Sequence, residues 1–275
     1  MRRTVLILSG LAIMSASIVF AGPGKHGNAV EKLKQGEINA DTLKEIEKTG
    51  KSAAKELRKL IKNKNIDKDI RVASIVLMGK IKSGEDRQDL EDILENDDNQ
   101  FNREAAALAL ADLGSGEATP KLKKSLNDPS GNVRMRAALA LGKLGDKSGK
   151  EAVLEAMSGD DVTAKFLAVE AIGSIGDKNM IAELKKNKDS SNAWTRIFSE
   201  LAIKRLEIQG LNEKESLNYL KVTLQDNQFE VTKWAASELG KIGTPESIKI
   251  LQETAKSNVS PGSGSAMRVL AIMEE

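Results

Sequence analysis

Val133-Arg134-Met135-Arg136-Ala137-Ala138-Leu139-Ala140-Leu141-Gly142-Lys143-Leu144-Gly145 decides the fold, because edited copies of it return about every 31 residues. Wound as a helix, Val133, Ala137, Ala140, Leu141 and Leu144 fall at i, i+4, i+7, i+8 and i+11, which makes one apolar stripe. Asp128, in the run Asn127-Asp128-Pro129-Ser130-Gly131, supplies turn chemistry ahead of the stripe, and Gly145 supplies a stop behind it. A single helix of this kind is ordinary. Its recurrence is what settles the architecture.

Aligned on the terminal glycine, the copies end at Lys82, Gly114, Gly145, Gly176, Glu207 and Gly243, and the last gap holds an insertion at 209–214. Three residues earlier stand Gly79, Ala111, Gly142, Gly173, Lys204 and Gly240. Glycine inside a helix costs roughly 0.5–1 kcal/mol relative to alanine, so this column implies close helix packing, and Gly142→Ala is expected to destabilise by ~1–3 kcal/mol. A cationic column reads Arg71, Arg103, Arg134, Lys165 and Arg196, with Thr232 in the last copy. It is expected to pair with loop aspartates of its own or the next unit (Asp97, Asp128, Asp160, Asp189 and Asp226) and so to hold the stack in register. As exposed pairs these contribute ~0.2–1 kcal/mol each. Leu90, Leu122, Val153, Leu184, Leu220 and Leu251 mark the buried face of a second, shorter helix. One such helix pair cannot bury its apolar face alone, so the period implies a solenoid.

The pattern Val-Arg-x-x-Ala-Ala-x-Ala-Leu-Gly-x-Leu-Gly, preceded by Asp, resembles the short HEAT-like repeat of phycobilisome lyases. The resemblance spans residues 67–255 and is strongest at 127–176. It implies an all-α fold, an α-α superhelix of stacked antiparallel helix pairs. It implies little about function, since such repeats serve scaffolds, adaptors, lyases and hydroxylases alike. In this reading residues 28–65 are degenerate capping helices, 66–255 carry about six repeats, and 256–275 are a linker and a capping helix.

Residues 1–21 read as a secretory signal: Arg2 and Arg3, an apolar stretch at 4–20, and a small-residue cleavage site at 19–21. A flexible arm at 22–27 follows and holds the one histidine, His26. The protein is therefore expected to be exported to a bacterial periplasm or the exterior. Removing Arg2 and Arg3 leaves 40 basic against 40 acidic side chains, which takes away the electrostatic footing for nucleic acid or an anionic membrane. With no cysteine and a histidine only in the arm, thiol chemistry, Ser-His-Asp catalysis and multi-histidine iron sites are excluded. No cofactor or metal is expected.

Setting Phe20 aside, every aromatic but Phe101 falls between 166 and 234: Phe166, Trp194, Phe198, Tyr219, Phe229 and Trp234. Trp194 and Trp234 stand where the cleanest copy has Asn132 and Arg136, at or beside the edge of the stripe. Either the irregular copy needs large rings to fill a wider gap, or the rings are contacts for a partner. Exposed residues of the short helices change charge from copy to copy: Asp86, Asp89 and Asp92, then Lys121, Lys123 and Lys124, then Glu151 and Glu155. Together these suggest a non-catalytic adaptor for an envelope protein. The alternatives are a structural protein that binds glycan or peptidoglycan, and a lyase-like or chromophore-handling protein.

Overall fold

The computed structural model describes residues 29–82, 86–257 and 260–273. The stretches expected to form a signal and an arm, with His26, lie outside them. Among the described residues there are helices and turns and no strands. The helices are α1 (Ala29–Lys34), α2 (Ala40–Thr49), α3 (Lys51–Lys62), α4 (Lys68–Ile81), α5 (Arg87–Asn96), α6 (Gln100–Leu113), α7 (Thr119–Lys124) and α8 (Gly131–Lys143). After them come α9 (Lys150–Ser158), α10 (Val162–Ile175), α11 (Met180–Lys185), α12 (Ala193–Glu207), α13 (Glu213–Thr223), α14 (Phe229–Ile242), α15 (Pro245–Lys256) and α16 (Ser263–Met273). The fold is an all-α solenoid.

The chain divides into two compact units, one ending at Ala152 and one beginning at Val153. In the first, the long helices α4, α6 and α8 stack in sequence; in the second, α10, α12, α14 and α16 do the same. The short helix packs most closely on the long helix that follows it: α3 on α4, α5 on α6, α7 on α8, α11 on α12, α13 on α14 and α15 on α16. The frame of the hairpin is thus short helix, Asp-bearing loop, long helix. In this frame the last helix, α16, pairs with α15. Leu90, Leu122, Val153, Leu184, Leu220 and Leu251 are all buried, as their column requires.

Loop chemistry explains where the long helices start. Asp97, Asp128 and Asp226 each accept from the backbone N–H two residues on, at 3.0, 2.8 and 2.9 Å, an Asx turn that sets the chain into the helix. Asp161, rather than Asp160, does this for α10. At the other end Gly114, Gly145, Gly176 and Gly243 have φ of 71, 81, 64 and 65°, and Lys82 adopts φ 52° in the same place. The copy ending at Glu207 departs from the pattern. Its helix runs through Glu207, and the turn is made by Gly210.

The inner glycines do not share one cause. A Cβ on Gly79 would stand 2.4 Å from the Cα of Ala109, and one on Gly240 would stand 2.6 Å from a Val269 methyl. On Gly173 it would meet only the Arg205 guanidinium, at 3.3 Å. Close backbone approach therefore accounts for Gly79, while Gly173 leaves room for a side chain from the next helix. Gly142 is buried within α8.

Candidate functional site

The cationic column is built into the stack. Arg71 donates from Nε to the Ile61 carbonyl at 2.8 Å and from Nη2 to Asp97 of the next loop at 2.6 Å. Arg103 donates to the Asp97 carbonyl at 2.8 Å and grips both oxygens of Asp128 at 2.8 and 2.9 Å. Arg134 donates to the carbonyls of Asp128 and Pro129, Lys165 to that of Gly159, and Arg196 to those of Ser190 and Ser191. The head groups from Arg103 onward thus close the loop before their own helix, Arg71 ties α4 to the last turn of α3, and Arg71 and Arg103 also clasp the aspartate of the next unit. Arg103 and Arg134 reach the aspartate of their own unit through its backbone carbonyl rather than its carboxylate, while Lys165 and Arg196 donate to the carbonyls of Gly159 and of Ser190 and Ser191 in place of Asp160 and Asp189. The pairs with Asp97 and Asp128 are also largely buried, contrary to the exposed geometry expected. Burial lowers the pKa of Lys165, against the opposing fields of Asp160 and Asp161.

The short-helix charges are likewise satisfied internally. Asp86 is fully buried and accepts from Arg58 Nε at 2.6 Å, and Asp89 pairs with Lys62 at 2.8 Å. Glu95 takes both Lys121 and Lys124, and Lys123 pairs with Asp146 at 2.9 Å. The alternation of sign joins α3 to α5 and α5 to α7, so it is no free recognition surface there. Glu151 and Glu155 remain exposed.

The six aromatics separate. Asn192 caps α12 by accepting from the N–H groups of Trp194 and Thr195 at 2.9 and 3.3 Å, which sets Trp194 in the first turn. One turn on, Phe198 is 4% exposed, and the Trp194 ring stacks over it at 5.5 Å and 24°. Phe166 reaches from α10 and meets Phe198 edge-on at 6.0 Å. Trp194 is 46% and Phe166 37% exposed, so the three rings form a platform with two open faces on a buried base. Trp234 is 6% exposed and belongs to the core, because its place on α14 matches that of Phe198 on α12; it is withdrawn as a contact residue. Tyr219 is held by Glu207, to which its hydroxyl donates at 2.6 Å; burial and then that carboxylate push its pKa up. Phe229 is 52% exposed and lies apart, with Lys233 and Arg268 over its ring.

Phe166, Trp194 and Phe198 occupy the repeat positions that Glu104, Asn132 and Arg136 occupy two units earlier. There the junction is ionic and closed. Glu104 and Arg136 are both buried, and burial, only partly offset by Arg136, pushes the Glu104 carboxyl up to about 7. The expectation had overlooked Glu104, although its position in the column of Phe166 marked it as an inter-repeat residue.

The family profile described as HEAT repeats matches residues 35–111, 119–204 and 198–271, which is most of the chain. The chain belongs to the HEAT-repeat family. A profile described as PBS lyase HEAT-like repeat also matches, at 103–128. No curated protein matches this HEAT-repeat chain in sequence. Among solved structures, the complex of CpcE and CpcF of phycocyanin lyase from Nostoc sp. PCC7120 is similar at 21% identity and TM-score 0.51, covering 80% of this chain and 93% of that one. Human deoxyhypusine hydroxylase in complex with glycerol gives 16% and 0.38, covering 89% and 96%. YibA of E. coli gives 17% and 0.47, covering 91% and 99%. The first of these likenesses, at TM-score 0.51, shows the fold. Among the described residues no helix is long and apolar enough to cross a membrane, and no group of three or more His, Cys, Asp or Glu is placed to hold a metal.

Proposed function

We propose that this HEAT-repeat protein is a non-catalytic scaffold that works outside the cytoplasm and holds a protein partner against the platform of Phe166, Trp194 and Phe198. The observation that carries the reading is the open face of Trp194, fixed by a cap at its backbone and a buried ring beneath it. A rigid, half-exposed aromatic loses little entropy on binding, and such rings anchor interfaces. Export is supported by the charged start, apolar run and small-residue triplet at 1–21. Glu104, the one carboxyl among the described residues raised to near neutrality, is sealed in a repeat junction, which disfavours a role in chemistry.

Affinity capture from detergent-solubilised envelope extract tests the proposal, with native bait beside a Phe166→Ala, Trp194→Ala variant whose helicity is unchanged. One protein enriched on the native bait and lost on the variant is the expected result. Identical retention by both baits would remove the platform from the reading, and retention of glycan in place of protein would replace the scaffold by a glycan-binding envelope protein.

A further inference from the structure

A cleft of about 180 Å³ opens in the first unit between the loop that precedes α4 and the loop that precedes α6; Lys64, Lys68, Arg71, Asp97, Asp98 and Asn102 line it. Two of these side chains cancel each other. Asp97 accepts from Arg71 at 2.6 Å and from the Asn102 amide at 2.9 Å; burial works against its ionisation, but these hydrogen bonds prevail and hold its carboxyl below the usual range. Because a carboxylate only accepts, the Asn102 amide must present Nδ2 to Asp97, which leaves its Oδ1 as an acceptor. Asn102 is 2% exposed, and that oxygen has no protein partner. Arg103 donates to the Asp98 carbonyl at 3.4 Å, but among the described residues no ion pair or hydrogen bond engages the side chains of Lys64, Lys68 or Asp98.

What remains is a cleft with two ammonium groups on one part of its wall and, on another, a carboxylate beside a buried acceptor. A simple anion entering it meets Asp98, and a simple cation meets Lys64 and Lys68. A molecule with both charges meets neither conflict. A cleft of this size has room for several waters, and so for a small amino acid. We infer that this cleft binds a small zwitterion of the α-amino acid class, its carboxylate toward Lys64 and Lys68 and its ammonium toward Asp98, beside Asn102. The site shares no residue with the aromatic platform and stands whether or not the scaffold reading holds.

The test is a titration of the full ¹⁵N-labelled chain with L-alanine at constant ionic strength, followed at the Asn102 side-chain amide. Acetate, methylammonium, N-acetyl-L-alanine and L-alaninamide serve as controls. Saturable shifts with L-alanine at millimolar concentration, absent with all four controls, are expected. Asp98→Asn and Lys68→Met, both at exposed side chains, should each weaken binding by about tenfold while leaving the rest of the spectrum in place. Equal saturation by acetate would reduce the site to an anion pocket. No saturation below about 50 mM, or unchanged binding in both variants, would also overturn the proposal.

Discussion

At the scale of single residues, the glycine column offers a pair of substitutions with opposite signs. In Gly79→Ala the new methyl meets the backbone of α6, which cannot step aside, so a loss of ~1–3 kcal/mol is expected in urea unfolding. In Gly173→Ala it meets the end of a flexible arginine, and the helix gains about 0.5–1 kcal/mol of propensity, so stability should hold or rise. Equal losses at both sites would show that the column has one cause after all. Glu104 gives a pH signature. Its folded pKa, about 7, lies above the ~4.3 of an unfolded chain, so its contribution is complete below pH ~4.3 and disappears as pH rises through 7. The groups that face it are Arg136, Asn132, Arg103 and Asp128. Stability of the native chain minus that of Glu104→Gln should therefore fall by about 3 kcal/mol between pH 4.5 and 8. A flat difference curve would mean that Arg136 keeps Glu104 ionised throughout.

At the scale of helices, the charged contacts between short helices should divide by burial. Asp86→Ala removes a fully buried carboxylate but leaves Arg58 its pairing with Asp89 at 3.6 Å, and should cost ~1.5–3 kcal/mol, whereas Glu95→Gln touches partners that are themselves exposed and should cost under ~1 kcal/mol, shrinking further in salt. Thermal melts of the two variants at low and high salt check both statements. The long helices were legible in the sequence because stripe, Asx turn and terminal glycine all repeat together. The frame of the hairpin was not, since a strict alternation of short and long helices reads equally well from either member. The glycine turn after most of the long helices is the more conspicuous link, but the tighter hairpin closes through the Asp-bearing loop before it. The aromatic site was half legible for a related reason. Trp194 and Trp234 both sit near the edge of the stripe, yet they occupy different columns. Arg136, Phe198 and Trp234 share a column buried between repeats, and only Trp194, four positions earlier in the frame, reaches the rim.

At the scale of the molecule, the two units should differ in strength. The first holds a continuous core from Ala29 to Leu141. The second carries the irregular copy, and with it Arg205, whose Nε is buried without a hydrogen-bond partner and whose pKa burial drives down. In a solenoid, stability is close to a sum of repeat and neighbour contributions, so a costly interior cation weakens its own neighbourhood first. Trp194 and Trp234 both lie in the second unit, so tryptophan fluorescence reports that unit alone, while far-UV circular dichroism reports the helices of both. The fluorescence midpoint in urea is expected below the dichroism midpoint, and coincident curves would show that the array unfolds as one body. Arg205→Met sharpens the test. A buried charge replaced by an apolar chain of similar length is often neutral or stabilising, so the fluorescence transition should move to higher urea while the later dichroism phase stays in place. Movement of both together would mean that the units share their stability across the division at Ala152.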